Sequence, residues 1–178
     1  MQTLKGFRTC KQCSLSKTRK QVVLGAGVNE CDILFIGEAP GIAEEMLGVP
    51  ITGPTKRLFL RLIKKAAMWV HRTEPTFYFT NVCACRPSDS SGETRVPSGD
   101  ELWACFQRLE FETKKWVKAR KVIFLGRVAE VAAKKLFPEA RMLQHPAYLL
   151  RCGGESSPDG VKFIRELSEI IKGLCYET

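Results

Sequence analysis

Two hydrophobic periods alternate along the chain. Asp32-Ile33-Leu34-Phe35-Ile36-Gly37-Glu38-Ala39-Pro40-Gly41 opens as a short apolar run and ends abruptly in a Gly/Pro turn with a carboxylate inside it, the pattern of a buried strand feeding a loop. Gly48-Val49-Pro50-Ile51-Thr52-Gly53-Pro54 is a second turn-rich passage. After it Leu58, Leu62, Ile63, Ala66 and Ala67 recur at helical spacing, with Lys56, Arg57, Arg61, Lys64 and Lys65 on other faces. Thr76 to Val82, with Phe77, Tyr78, Phe79 and Thr80, predicts a strand, and Ser88 to Ser98 a polar loop. From Gly99 to Ala119, Leu102, Phe106, Leu109, Trp116 and Val117 mark one face of a long helix, and the spacing puts Cys105 on that face. Lys121 to Leu125 predicts a strand, and Gly126 starts a helix carrying Val128, Val131, Ala132 and Leu136 that ends at Pro138. Arg141-Met142-Leu143 is a short strand, and a loop follows with His145-Pro146-Ala147 and Tyr148-Leu149-Leu150-Arg151. Val161 to Leu174 is a closing helix.

This alternation predicts an α/β fold: a central, mostly parallel, four-stranded sheet covered on both faces. Ligands bind at the carboxyl ends of parallel strands, so the loops carrying Glu38, Asn81 and His145 are expected to converge on one rim. With 178 residues and 44% hydrophobic content, one well-packed core is expected, a single domain spanning 1–178.

Charge narrows the class of partner. The formal net charge of +9 favours a polyanion such as nucleic acid. No apolar run approaches a membrane span, and Met1-Gln2-Thr3-Leu4-Lys5 lacks the apolar core of a signal peptide, so an intracellular protein is expected. In that setting eight cysteines point to metal rather than disulfides. Cys10-x-x-Cys13 can aim two sulfurs at one centre, Cys85 and Cys105 are the distant candidates, and Cys31, Cys83, Cys152 and Cys175 read as spare buried thiols. A lone C-x-x-C serves zinc, redox and iron–sulfur sites alike.

The order Cys10-x-x-Cys13, Gly37-Glu38-Ala39-Pro40-Gly41 with Glu44, Gly48-x-Pro50-x-x-Gly53, Thr80-Asn81-Val82-x-x-Cys85-Arg86-Pro87, Cys105 and His145-Pro146-Ala147 resembles the family-four uracil-DNA glycosylases, over roughly residues 7 to 171. The resemblance implies a three-layer α/β/α sandwich, a [4Fe-4S] cluster and excision of uracil from DNA. By matching position, Cys10, Cys13, Cys85 and Cys105 would hold the cluster, with Cys83 as runner-up to Cys85.

Asn81 would read the base, since one amide can donate to uracil O4 and accept from N3–H. His145 would stabilise the charge that develops on O2 as the glycosidic bond breaks. Gly37, Ala39 and Ile51 would line the base site, either Glu38 or Glu44 would orient the attacking water, and Leu149 and Arg151 would engage DNA by wedging and by phosphate contact. Two positions depart from the family's pattern: Ile51 stands where a phenylalanine stacks on the base, and Lys56 where a glycine is expected. The implied partner is DNA, single- or double-stranded, with no membrane and the protein a monomer. A glycosylase for a modified pyrimidine, or a catalytically silent iron–sulfur DNA-binding module, are the alternatives.

Overall fold

The computed structural model describes residues 4–174. Its sheet has five strands: β1 (Ala26–Gly27), β2 (Glu30–Gly37), β3 (Phe77–Asn81), β4 (Lys118–Leu125) and β5 (Arg141–Leu143), in the order β1-β3-β2-β4-β5. The four expected strands are mutually parallel, and the added β1 is a two-residue antiparallel edge on β3. Two residues of Gly-rich sequence carry no periodicity, so no pattern announces β1. Among the described residues no helix is long and apolar enough to cross a membrane.

Alternation along β2 sorts the core into two layers. Ile33 and Phe35 face helices α2 (Gly53–Trp69), α5 (Pro146–Arg151) and α6 (Pro158–Lys172), whereas Leu34 and Ile36 face α3 (Gly99–Phe111) and α4 (Arg127–Ala133). A six-residue helix, α1 (Ile42–Leu47), follows the β2 loop. On the first face Phe59 of α2 meets the rings of Phe35, Phe77 and Phe79 edge-on, with centroids 4.9 to 5.8 Å apart. Each such pair contributes about 0.5–1.5 kcal/mol beyond area burial, so the carboxyl ends of β2 and β3 rest on a stiff aromatic base.

Several local expectations are corrected. The long helix stops at Phe111 and passes through a wide turn, Glu112–Trp116, into β4, which starts at Lys118 rather than Lys121. Trp116 is exposed, because the widened turn rotates it off the buried face. In α4 it is Ala129 and Ala133 that face the sheet while Val131 is exposed, small side chains letting the helix lie close. Tyr148 to Arg151 is the body of α5, not a loop: Pro146 sits in its first turn, where a missing N–H costs nothing.

Candidate active site

The carboxyl ends of β2, β3 and β5 open into a cleft of about 640 Å³, lined among others by Glu38, Ala39, Gly41, Ile51, Asn81, His145 and Arg151. The convergence expected of the three loops is therefore present. A second hollow, of about 520 Å³ near Arg120, Phe137 and Glu169, contains none of the candidate residues.

Gly37, the last residue of β2, pairs with Asn81, the last of β3. A Cβ at Gly37 would stand 2.4 Å from Asn81 Oδ1, 3.3 Å from Phe79 Cζ and 3.5 Å from His145 Nε2. Only the missing side chain lets these three groups close around one point. Asn81 is 2% exposed, and its Nδ2 has no hydrogen-bond partner among the described residues. A buried amide donor without an acceptor costs about 1–3 kcal/mol, which a ligand carbonyl in the cleft would recover.

His145 caps α5: its Nδ1 accepts from Ala147 N at 3.1 Å. Nδ1 is therefore the lone-pair nitrogen, and the neutral ring carries its proton on Nε2, the atom beside Gly37. Burial, assisted by the Arg151 guanidinium, pushes the ring down to about 4. At neutral pH the cleft thus holds an uncharged N–H donor.

The two carboxylates differ. Glu44 Oε2 accepts from Gly41 N at 3.2 Å and Oε1 from Thr52 N at 3.1 Å, so its carboxylate pins the loop after β2 to the loop before α2. Among the described residues, no donor reaches the side chain of Glu38 within the cleft, and burial pushes its carboxyl above the ordinary range. Ile51 is buried against the aromatic base and lines the cleft, as expected of it.

Leu149 is a correction: it is fully buried in the core, because helical phase turns it inward and turns Tyr148 and Leu150 out, 37% and 40% exposed. Arg151 is exposed at the cleft rim. The sequence reading missed Phe79, which supplies an aromatic wall two residues before Asn81 on the same side of β3, and Thr94 to Val96 of the polar loop. The period-two rule contains the first of these signals, whereas nothing in the loop's composition contains the second.

The thiols gather at a separate corner. Cys83, Cys85 and Cys105 are buried with Leu4, Phe7, Leu15, Val22 and Leu24, and Cys13 packs against them. Cys10 follows the 3₁₀ turn Leu4–Thr9, and Cys13 precedes a second, Ser14–Lys17; Arg19 donates to the Cys10 carbonyl. Burial pushes Cys85 up to about 12, the Cys105 and Cys13 thiols reinforcing this and Arg19 opposing it. Cys83 and Cys105 lie 3.9 Å apart; their hydrogen bond, aided by Arg108, holds Cys105 low, toward the thiolate that metals require. Cys31 is buried as expected, Cys152 is exposed instead, and Cys175 lies outside the described residues. Among the described residues, no three His, Cys, Asp or Glu side chains close on a point suited to a single ion. Cysteine thiolates are donors that zinc and iron–sulfur clusters both accept, and Cys13, Cys83, Cys85 and Cys105 are gathered at this corner.

Comparison with known proteins accords with this geometry. A family model described as the uracil DNA glycosylase superfamily matches residues 24–168. A type-4 uracil-DNA glycosylase of Saccharolobus solfataricus is 35% identical over 120 residues, 67% of this chain and 52% of the relative. Type-4 enzymes of Archaeoglobus fulgidus and Pyrobaculum aerophilum are each 31% identical, over 72% and 73% of this chain and 60% and 62% of their own length. The chain thus spans between half and two thirds of the length of these curated relatives. With a model match covering most of the chain, it belongs to the uracil DNA glycosylase superfamily.

Proposed function

We propose that the protein is a monofunctional uracil-DNA glycosylase, a single domain that extrudes uracil from DNA, hydrolyses its N-glycosidic bond and leaves an abasic site. The observation that carries this reading is the Nδ2 of buried Asn81, without a partner among the described residues and held beside a glycine and the Nε2 of a neutral histidine. Uracil offers O4 to that donor and N3–H to Oδ1, whereas cytosine presents the reverse pattern. As the glycosidic bond lengthens, negative charge spreads onto uracil O2, and the His145 Nε2–H stabilises it. A donor already in place inside a dry site needs no reorganisation, and losing one costs about 10²–10³ in rate. Glu38, with its raised pKa and unengaged side chain, orients the water. Position 39 is alanine and Glu44 is committed to two backbone amides, so leaving-group stabilisation carries most of the barrier.

Cys10, Cys13, Cys85 and Cys105 would hold a [4Fe-4S] cluster. When bound, it would cross-link the N-terminal turns to α3 and to the segment after β3. Cys85 is preferred to Cys83 by its matching position, before Arg86-Pro87 and four residues after Asn81. Arg151 and the exposed Tyr148 and Leu150 would meet the DNA, a role passing from Leu149 to its neighbours. An intracellular monomer is the working arrangement. Ile51 favours one second reading, a modified pyrimidine as the base, since an aliphatic wall leaves more room than a ring. Release of free base from oligonucleotides bearing uracil or modified pyrimidines tests both: uracil release supports the proposal, exclusive release of another base selects the second reading, and release of none overturns both.

A further inference from the structure

Arg108 is buried in α3 at 4% exposure, and its guanidinium does more than pair with Glu112. Nη2 donates to the carbonyl oxygens of Asn81 at 2.6 Å and Val82 at 2.5 Å, while Nη1 reaches Thr80 Oγ1 at 3.2 Å and Glu112 Oε2 at 2.5 Å. Glu112, fully buried, also accepts from Thr80 Oγ1, Tyr78 OH and Gly25 N. From the other side, Val82 N donates to the Gly37 carbonyl and Cys83 N to that of Glu38. The segment leaving β3 is therefore gripped through its N–H groups by the β2 loop and through its carbonyls by one arginine.

Burying an ion pair is weak evidence of added stability, since desolvation of both charges offsets their attraction; here Arg108 Nε has no hydrogen-bond partner among the described residues, and the guanidinium also lies beside the Cys105 thiol. What the arrangement supplies is orientation. The planar fork fixes the peptide planes on the carboxyl side of Asn81, and with them the direction of its Cα–Cβ bond.

We infer that Arg108, held by Glu112, is a positioning residue that aims the Asn81 amide at the extruded base. This rests on the reading of Asn81 as the base reader. Lysine keeps the charge and a partner for Glu112 but cannot serve two carbonyls in one plane.

The test is a double-mutant cycle of Arg108→Lys and Asn81→Ala, read by single-turnover uracil excision, binding of DNA containing a stable abasic analogue, and melting temperature. Arg108→Lys is expected to slow excision by up to about 10²-fold, the cost of a misplacement near 1 Å, and to leave abasic-DNA binding unchanged because no base is read there. The double variant is expected to be no slower than Asn81→Ala alone. Glu112→Gln, which keeps the acceptor oxygen, is expected to repeat the pattern more weakly and serves if the lysine variant does not fold. Multiplying losses, or parallel losses of excision and abasic-DNA binding, would mean a general structural role and overturn the inference. So would a wild-type rate for both variants beside a slow Asn81→Ala. A wild-type rate for Asn81→Ala itself would instead overturn the assignment of Asn81, and this inference with it.

Discussion

The cleft and the thiol corner sit at opposite ends of one short segment, with Asn81 at the end of β3 and Cys85 four residues on, yet they are built differently. The pocket stands on the ends of parallel strands whose ladders, aromatic base and Arg108 grip fix each group before any ligand arrives. The corner is closed on one side by two 3₁₀ turns, packed by side chains and without a strand ladder through Leu4–Lys17. One site is arranged by the sheet, and the other by side-chain packing.

The largest expected effect breaks the pocket alone. His145→Ala and Asn81→Ala should each slow single-turnover excision by about 10²–10³-fold, with metal content and melting temperature near wild type. If iron were lost from either variant, the two sites would not be separate.

Damage to the corner should show the opposite profile. Wild-type protein is expected to carry about four irons per chain. Cys105→Ser should lose them and lower the melting temperature by on the order of 10 °C, equivalent to about 3 kcal/mol, whereas Cys83→Ser should retain its iron. Hydrogen exchange would sharpen the contrast: in Cys105→Ser, protection should fall across residues 4 to 24 while β2 to β4 keep theirs.

The burial of His145 predicts a pH signature. His145 titrates near 4 when folded and near 6.5 when unfolded, so between those values the unfolded chain binds the extra proton. Wild-type stability should therefore drop as pH falls through that window, by a few kcal/mol at its low end, measured as the difference from His145→Ala. Excision should decline in acid as Glu38 protonates at its raised pKa, and as His145 charges its new Nδ1–H would oppose Ala147 N and loosen the start of α5. Loss centred near 6.5 would mean a solvated imidazole.

The smallest effect concerns Ile51. Ile51→Phe should speed uracil excision by up to about tenfold, a gain near 1.4 kcal/mol, and crowd a bulkier base. Phe79 already lines the cleft, and that limits the gain.

The layers, four of the strands and the meeting of Glu38, Asn81 and His145 were legible because period-two and helical patterns report burial directly, and parallel topology brings strand ends together. Other features were hidden for identifiable reasons. Leu149 and Leu150 are chemically alike, so only helical phase decides which one faces out of the fold. Glu38 and Glu44 are identical in kind, and their difference lies in which backbone amides each meets. Arg108 and Glu112 share a face with Cys105 and Leu109 at helical spacing, but the habit of assigning charges to solvent conceals a buried clamp.

The sheet's borders carry one more consequence. β2 and β4, at eight residues each, are interior, while the two borders are a two-residue and a three-residue strand. A long bare border is a template onto which another chain can add a strand. Here β1 covers part of β3, and β5 ends before it can recruit a neighbour. A protein of this shape should therefore withstand concentration, and partial opening near its N-terminal turns, with little tendency to grow into fibres.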